Sequence, residues 1–262
     1  MPEGDTVYRE AHALNEALAG SVLTRSDVRV PAFATVDFTG DTVQNVVSRG
    51  KHLLLRAGQN TVHSHLKMEG SWHRYRHGSP WRRPAFQARI VLETADWVAV
   101  GFELGLLEIV PTRNETDIVG HLGPDLLDPD WNAVLAADAA ARLLQHPERP
   151  VAVALAEQRS LAGLGNVYVN ELCFLRGLLP TRPLGEVRDV PAVVALARRL
   201  MLANRDRTER TTTGNTRRGE QLWVYSRDGR PCRRCGTRIR RGSIGRDDLL
   251  QRNSFWCPRC QN

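Results

Sequence analysis

The first part of the chain, residues 5–19, has apolar residues at the spacing of an amphipathic helix. Residues three or four positions apart fall on one face of a helix. The apolar residues are Val7, Ala11, Leu14, Ala17 and Leu18. Asp5 or Thr6 can cap the start of such a helix, and Gly20 can end it. We therefore expect a helix that holds the N-terminus against the body of the protein.

Between residues 21 and 110 the pattern changes to short runs of β-forming residues separated by Gly, Pro and Asp. Examples are residues 43–47, 52–55, 88–92 and 97–100. Short strands at regular spacing predict an antiparallel sandwich or barrel. The basic and aromatic residues 73–84 predict an exposed loop, which either contacts a phosphate backbone or is simply solvated.

Helical patterning follows an acidic stretch rich in Pro and Gly, residues 111–130, which reads as a linker. The predicted helices span residues 131–144, 150–158, 166–175 and 190–204.

A turn of the type Gly-x-Gly, residues 163–165, leads into the third of these helices, with Asn166 as its expected cap. Such a turn can direct backbone N–H groups at an anion, or it can be an ordinary connection between helices.

The net charge of +7 favours a polyanionic partner. No apolar run approaches the roughly 20 residues that span a bilayer. The N-terminus also lacks the basic and apolar regions of a signal peptide. We therefore expect a cytoplasmic protein without a membrane partner.

Four of the five cysteines, Cys232, Cys235, Cys257 and Cys260, form two C-x2-C pairs. In a chain without an export signal this spacing favours a structural zinc site over disulfides. Four thiolates suit tetrahedral Zn²⁺ and leave no open coordination position. Cys173 lies in an apolar stretch and is expected to be a buried small hydrophobe.

Amine nucleophiles are scarce in this sequence, because only two of its 36 basic residues are lysines. If the chemistry needs an amine, the candidates are Lys51, Lys67 and the α-amine that Pro2 would carry after removal of Met1. An α-amine has a reference pKa of about 7.7–8.0, against about 10.4 for lysine, so more of it is unprotonated at neutral pH. The alternative is an idle terminus.

In their order along the chain, these features resemble the formamidopyrimidine-DNA glycosylase/endonuclease VIII family. The resemblance covers essentially the whole chain. It rests on MPEGDTVYREA at the start, GKHLLL (50–55), HLKMEGSW (65–72), LGPDLLDP (122–129), LAGLGNVYVNELCF (161–174) and PCRRCGTRI…RNSFWCPRCQ (231–261).

The family implies a multidomain α+β fold. Residues 1–118 would form an antiparallel β-sandwich with a leading helix, and residues 119–219 a helix-two-turn-helix domain. Residues 220–262 would form a zinc-finger β-hairpin that binds one structural Zn²⁺ ion.

The resemblance also implies the chemistry of a bifunctional DNA glycosylase/AP lyase. Pro2 would attack C1′ of the damaged nucleotide and form a Schiff base, with Glu3 as the neighbouring acid and base. Lys51 and Arg252 would contact phosphates and assist β,δ-elimination, and Asn166 would bind the DNA backbone. Met68 would fill the space left by the flipped nucleotide, although the sequence pattern alone would place Met68 in a core.

Two features favour the endonuclease VIII branch and oxidised pyrimidines over 8-oxoguanine. Gly4 follows the glutamate, and residues 100–105 contain no arginine. The insert around Gly242–Gln251 makes the gap between the cysteine pairs longer than the family's usual one.

The expected partner is damaged DNA with a flipped nucleotide. The protein is expected to be a monomer without a small-molecule cofactor, associated with the nucleoid of a bacterial cell. The alternative is a non-catalytic, zinc-containing nucleic-acid-binding protein, which would share the basic charge and the cysteine pairs.

Overall fold

A computed structural model describes residues 2–245 and 251–262. The chain divides into two compact units, Met1–His121 and Leu122–Asn262. Met1 and residues 246–250, which form part of the predicted insert, lie outside the described residues.

The first unit begins with the predicted helix, α1, which spans Gly4–Leu18. Its apolar residues Val7, Leu14 and Leu18 are buried in the core of this unit. The Asn15 side chain also accepts a hydrogen bond from Val46 N at 2.8 Å. The expectation of a helix fixed against the body of the protein is therefore confirmed.

Eight strands follow α1 and form two four-stranded antiparallel sheets. The strands are β1 (Arg25–Val28), β2 (Val43–Arg49), β3 (His52–Ala57), β4 (Asn60–His65), β5 (Ser71–Arg76), β6 (Ala88–Glu93), β7 (Trp97–Phe102) and β8 (Leu106–Pro111). One sheet has the order β1-β6-β7-β5 and the other β2-β3-β4-β8. Both sheets and α1 contribute to one apolar core, which confirms the predicted sandwich.

The prediction of a loop over residues 73–84 is wrong for its first part. Residues 73–76 belong to β5, an edge strand, and Tyr75 is buried in a second small cluster. Arg74 and Arg76 are exposed and lie over the ring of Trp97, at 5.7 and 3.8 Å from its centroid. Their loop-like composition reflects the solvated face of a strand.

Residues 111–130 are also more ordered than a linker. Pro111 ends β8, a 3₁₀ turn spans Thr112–Asn114, and α2 spans Glu115–Val119. Glu115 pairs with Arg56 of β3 at 2.7 Å, so this segment is fastened to the second sheet. Glu115, one of the acidic residues that suggested a linker, therefore belongs to a structural ion pair.

In its described residues, the second unit contains four α-helices: α3 (Ala133–Leu143), α4 (Val151–Ala156), α5 (Asn166–Leu175) and α6 (Val190–Asn204). The last two coincide with the sequence prediction, and the first two are shorter at both ends. Asn132 begins α3 by accepting hydrogen bonds from two backbone N–H groups, and Asp189 caps α6 in the same way with one.

A two-stranded hairpin of β9 (Arg240–Ile244) and β10 (Arg252–Trp256) completes this unit. Phe255 and Ile239 pack with Phe174 of α5 and with the cysteines in one core. Within the described parts of the chain, none of the helices combines the length and the apolar character needed to cross a membrane.

Candidate functional site

The N-terminal residues lie at the start of α1. Pro2 is half-buried, and Glu3 is the fully buried N-cap residue, with extended backbone angles (φ −129°, ψ −175°). The Glu3 carbonyl accepts a hydrogen bond from Val7 N at 3.1 Å. The start of α1 therefore holds Pro2 and Glu3 side by side at a fixed position.

Lys51 lies in the tight turn that joins β2 to β3, and both of these strands pack against α1. Gly50 precedes it with φ +58°, a conformation that side chains rarely adopt. The Arg49–His52 pair closes the hairpin. The turn therefore holds Lys51 at the end of the sheet.

Three histidines lie on the face of this sheet that is turned away from the core. His52 pairs across the strands with His65. His63 pairs in the same way with Glu108. Leu53 of β3, whose side chain points to the opposite face, is in the core with α1.

Two hydrogen bonds connect these side chains into a chain. Glu108 Oε2 lies 3.0 Å from His63 Nδ1, and His63 Nε2 lies 2.8 Å from His52 Nδ1. A carboxylate only accepts, so His63 Nδ1 carries the proton and His63 Nε2 accepts from His52. This arrangement leaves the lone pair of His52 on Nε2.

Burial keeps this cluster uncharged. Burial, together with the neighbouring His63 and His65, lowers the pKa of His52 to about 3. Burial, followed by the charges of Lys67 and Lys51, lowers the pKa of His65 to about 4.

Met68 lies on the loop between β4 and β5 and is exposed over 58% of its surface. The alternative that places it in a core is therefore wrong. Lys67 has φ +54°, and its backbone N–H donates to His65 Nδ1 at 2.9 Å. Gly105 lies so close to the Lys67 stem that a Cβ there would be 2.1 Å from Lys67 Cγ. The loop that presents Met68 is thus fixed from two sides.

Glu10 is an unusual carboxylate on α1, which sequence reasoning missed. Its Oε2 accepts a hydrogen bond from Trp72 N on the edge strand β5 at 2.9 Å. Burial raises the pKa of Glu10 to about 7, although Trp72 N and Arg9 act in the opposite direction. Glu10 also lines a cavity of about 410 Å³ together with Arg74 and other residues of α1 and β5.

We expect Glu10→Gln to stabilise the protein above neutral pH. The pKa of Glu10 is raised in the folded state. The contribution of its protonated carboxyl group to stability is therefore fully present below pH 4.5 and is lost as pH rises to about 7. The free energy of unfolding falls by at most about 3 kcal/mol over this range, and Glu10→Gln lacks this fall because glutamine does not titrate. Thermal unfolding near pH 5 and near pH 8 should show a smaller difference for the variant. A variant less stable than the wild type near pH 8 would contradict this assignment.

In the second unit, Asn166 and Arg252 line the same cavity of about 300 Å³, together with Gln158 and Ser254. The prediction that Asn166 caps α5 is wrong, because Asn166 is its first helical residue and Gly165 is the N-cap. The Asn166 side chain instead donates from Nδ2 to the Asn253 carbonyl at 2.8 Å. Two residues predicted to bind DNA, far apart in sequence, are therefore adjacent.

Asn170, one turn further along α5, holds β10 in place. Its Oδ1 accepts from Phe255 N at 2.6 Å and from Ser254 Oγ at 3.3 Å. Its Nδ2 donates to the Asn166 carbonyl at 2.7 Å. The hairpin strand that carries Arg252 is thus positioned by a buried amide of the helix.

Glu171 organises the chain that leads into the cysteine hairpin. Its fully buried carboxylate accepts backbone N–H bonds from Trp223 at 2.8 Å and from Val224 and Tyr225 at 2.9 Å. The Thr212 hydroxyl also donates to it. Four donors satisfy this buried charge. Sequence reasoning missed Glu171 and Asn170, because both lie in an apolar helix without a distinctive motif.

The four paired cysteines come together, as predicted. The Sγ atoms of Cys232 and Cys260 are 4.0 Å apart, and those of Cys235 and Cys257 are 3.4 Å apart. All four Sγ atoms lie within 4.8 Å of one another. The thiolates of a tetrahedral zinc site are about 3.8 Å apart, given Zn–S bonds of about 2.3 Å. The cluster could therefore hold a metal ion, and its donor set and spacing fit zinc.

Cys173 is apart from this cluster. It is fully buried in α5, and burial raises the pKa of its thiol to about 12. It is therefore an inert small hydrophobe, as the sequence suggested.

Comparison with known proteins places these features in a family. Residues 1–103 match the formamidopyrimidine-DNA glycosylase N-terminal domain. The DNA-(apurinic or apyrimidinic site) lyase Nei2 of Mycolicibacterium smegmatis is 54% identical over 261 residues, which cover 100% of this chain and 99% of that protein. Endonuclease 8 2 of Mycobacterium tuberculosis is 50% identical over 265 residues and covers 100% of both chains.

Solved structures share the fold over the full length of the chain. MutM in complex with DNA containing carbocyclic 8-oxo-G has a TM-score of 0.80 at 21% identity. Lactococcus lactis Fpg in complex with DNA containing an abasic site has a TM-score of 0.79 at 21% identity. Each comparison covers 100% of both chains. Together with the sequence relatives, they establish that this chain belongs to the formamidopyrimidine-DNA glycosylase/endonuclease VIII family, in its endonuclease VIII branch.

Proposed function

We propose that this protein is a bifunctional DNA glycosylase/AP lyase of base excision repair. The observation that carries the proposal is the 54% identity, over the whole chain, to a protein named as a DNA-(apurinic or apyrimidinic site) lyase. The buried carboxylate of Glu3 directly after Pro2, at a helix N-terminus, supports it independently. The proposed setting is a bacterial cytoplasm, where the protein acts as a monomer on nucleoid DNA.

The proposed reaction begins once Met1 has been removed and the Pro2 amine is free. The Pro2 nitrogen attacks C1′ and loses its proton, the bond from C1′ to the base breaks, and the base leaves with the electron pair and takes up a proton. Glu3 donates a proton to the ring oxygen O4′ as the sugar opens, and an iminium joins the enzyme to C1′.

The iminium then draws electrons away from the sugar carbons. Loss of a proton from C2′ expels the 3′-phosphate, and loss of a further proton from the sugar expels the 5′-phosphate. Lys51 and Arg252 are proposed to bind these phosphates, with Asn166 on the adjacent backbone. Arginine suits this role because its guanidinium can form two parallel hydrogen bonds to one phosphate.

The four cysteines are proposed to hold one structural Zn²⁺ ion. Such an ion would use all four thiolates and supply folding energy, not a reaction step. It would tie Cys232 and Cys235, which precede β9, to Cys257 and Cys260, which follow β10.

Oxidised pyrimidines are the proposed substrates. Residues 100–105 carry no arginine, and Phe102 within them is fully buried. Glu103 follows it and is paired with Arg83. A panel of duplexes with oxidised pyrimidines or 8-oxoguanine, each opposite all four bases, would test this preference by the rate of base release.

Covalent trapping tests the activity. The protein is incubated with abasic-site DNA and sodium borohydride, and a stable adduct that maps to Pro2 is expected. A control with the borohydride added after the DNA has been fully nicked should show less adduct. Binding of damaged DNA without any adduct would support the non-catalytic nucleic-acid-binding protein instead.

Arg252→Ala is expected to weaken binding of abasic-site DNA while its zinc content stays the same. Removing one phosphate contact should reduce the slope of log K against log salt by roughly one unit. Arg142→Ala, which removes an arginine paired with Asp138 on α3, serves as the control and should leave the slope unchanged. Loss of zinc from the Arg252 variant would show a structural role for this arginine.

A further inference from the structure

Phe86 is the most exposed of the large apolar side chains in the described part of the chain, at 80% of its surface. It lies in the 3₁₀ turn Ala85–Gln87, directly before β6. Hydrogen bonds fix this turn, from Gln87 N to the Pro84 carbonyl at 3.0 Å and from Arg29 Nη1 to the Ala85 carbonyl at 3.0 Å. An aromatic side chain held in water by a rigid turn offers a fixed apolar face to a binding partner.

Arg83 connects this turn to the loop that presents Met68. Its Nε donates to Gln87 Oε1 at 3.0 Å, and its Nη1 donates to the Glu69 carbonyl at 2.9 Å. Phe86 and Met68 are the residues that directly precede these two partners. The guanidinium of Arg83 therefore fixes the spacing between the exposed side chains of Met68 and Phe86.

A third turn completes this arrangement. Arg83 Nη2 pairs with the Glu103 carboxylate, and Glu103 N donates to the Gln87 carbonyl at 2.9 Å. Glu103 has φ +43°, and the neighbouring Phe102 is directed into the core. The three turns form one rim, defined here as residues 66–70, 83–87 and 103–105, from which Met68 and Phe86 project.

Extruding a nucleotide from a duplex leaves two defects. One is a gap in the damaged strand, and the other is an unpaired base in the opposite strand. The family resemblance assigns Met68 to the gap. An aromatic ring is suited to the second defect, because a base that stacks on it gains about 1–3 kcal/mol whatever its identity.

We propose that Phe86 stacks on the bases of the strand opposite the lesion and holds the unpaired base while Met68 fills the gap. This assignment rests on the proposed function, since it requires a flipped nucleotide. Arg82 and Arg89, which are exposed on either side of the turn, place positive charge beside Phe86 for the backbone of that strand. The Arg83–Glu103 ion pair has no net charge, so we assign it the role of holding the turns in place and not of attracting the DNA backbone.

Fluorescence can test the contact without any catalysis. A duplex carries 2-aminopurine opposite a tetrahydrofuran abasic analogue, which cannot form a Schiff base. An indole that contacts 2-aminopurine quenches its fluorescence. The emission of the duplex saturated with Phe86→Trp should therefore be about fivefold lower than that of the duplex saturated with the wild type, as expected for direct stacking. Val134→Trp is the matched control, because Val134 is 75% exposed on α3 and lies in the other unit.

Equal emission from the two tryptophan variants at saturation would overturn the proposal. A second measurement is the single-turnover nicking rate of a lesion-containing duplex, which should fall about tenfold in Phe86→Ala and stay unchanged in Val134→Ala. An unchanged rate in Phe86→Ala would also overturn it. Failure of borohydride trapping would remove the proposed function alone, since the fluorescence contact does not depend on Pro2.

Discussion

Glu3→Gln is expected to slow base removal and strand nicking by about 10²–10⁴-fold, the usual contribution of a positioned acid or base. Glu3 is fully buried at the N-cap of α1, directly after the proposed nucleophile. Glutamine has nearly the same shape, so the helix start should persist while the proton carrier is lost. Single-turnover rates on a lesion-containing duplex measure the effect, and binding to a tetrahydrofuran duplex should change little.

Glu10→Gln is the matched control for this experiment. It makes the same chemical change on the same helix, at a carboxylate that contacts Trp72 N of the edge strand. We expect its nicking rate to stay within about twofold of the wild type, because it removes no group that reaches the proposed reaction. Equal rates for the wild type and Glu3→Gln would show that another group moves the proton.

The second large effect is expected from Glu171→Ala, which should destabilise the second unit by about 3–5 kcal/mol. The substitution leaves the backbone N–H groups of residues 223–225 without their buried acceptor. It also removes the partner of the Thr212 hydroxyl. Urea unfolding followed by tryptophan fluorescence measures the loss, since Trp223 lies beside this carboxylate.

Two further variants keep this prediction testable if Glu171→Ala does not fold. Thr212→Val removes a single hydroxyl donor and should cost about 1 kcal/mol. Glu186→Ala is the control, because Glu186 is largely exposed and lies 3.9 Å from Arg182, so its loss should cost less than about 1 kcal/mol. A Glu171 variant as stable as the Glu186 variant would refute the role assigned to the buried carboxylate.

Local signals explain what the sequence predicted well. Residues 166–175 and 190–204 have strong helical patterning, and their helices have the expected bounds. The cysteine spacing placed four thiols in one cluster. The information for each helix lies in neighbouring residues, and that for the cysteine cluster lies in two short C-x2-C motifs.

Other features depend on partners far away in the sequence, and no local pattern reveals them. The backbone N–H partners of Glu171 lie 52 to 54 positions further along the chain. The β10 partners of Asn170 lie 84 and 85 positions further along. Glu10 depends on an edge strand 62 residues distant. In the sequence these residues are only polar positions within helices.

The shared core of α5 and the cysteine hairpin limits how this protein can be rearranged. Phe174 packs with Phe255 and two of the cysteines, while Glu171 holds the backbone that precedes the hairpin and Asn170 holds β10. A segment that began at residue 220 would leave these helical partners behind. The segment from residue 220 onwards therefore cannot be exchanged between relatives by itself. A chimera would have to exchange α5 together with it.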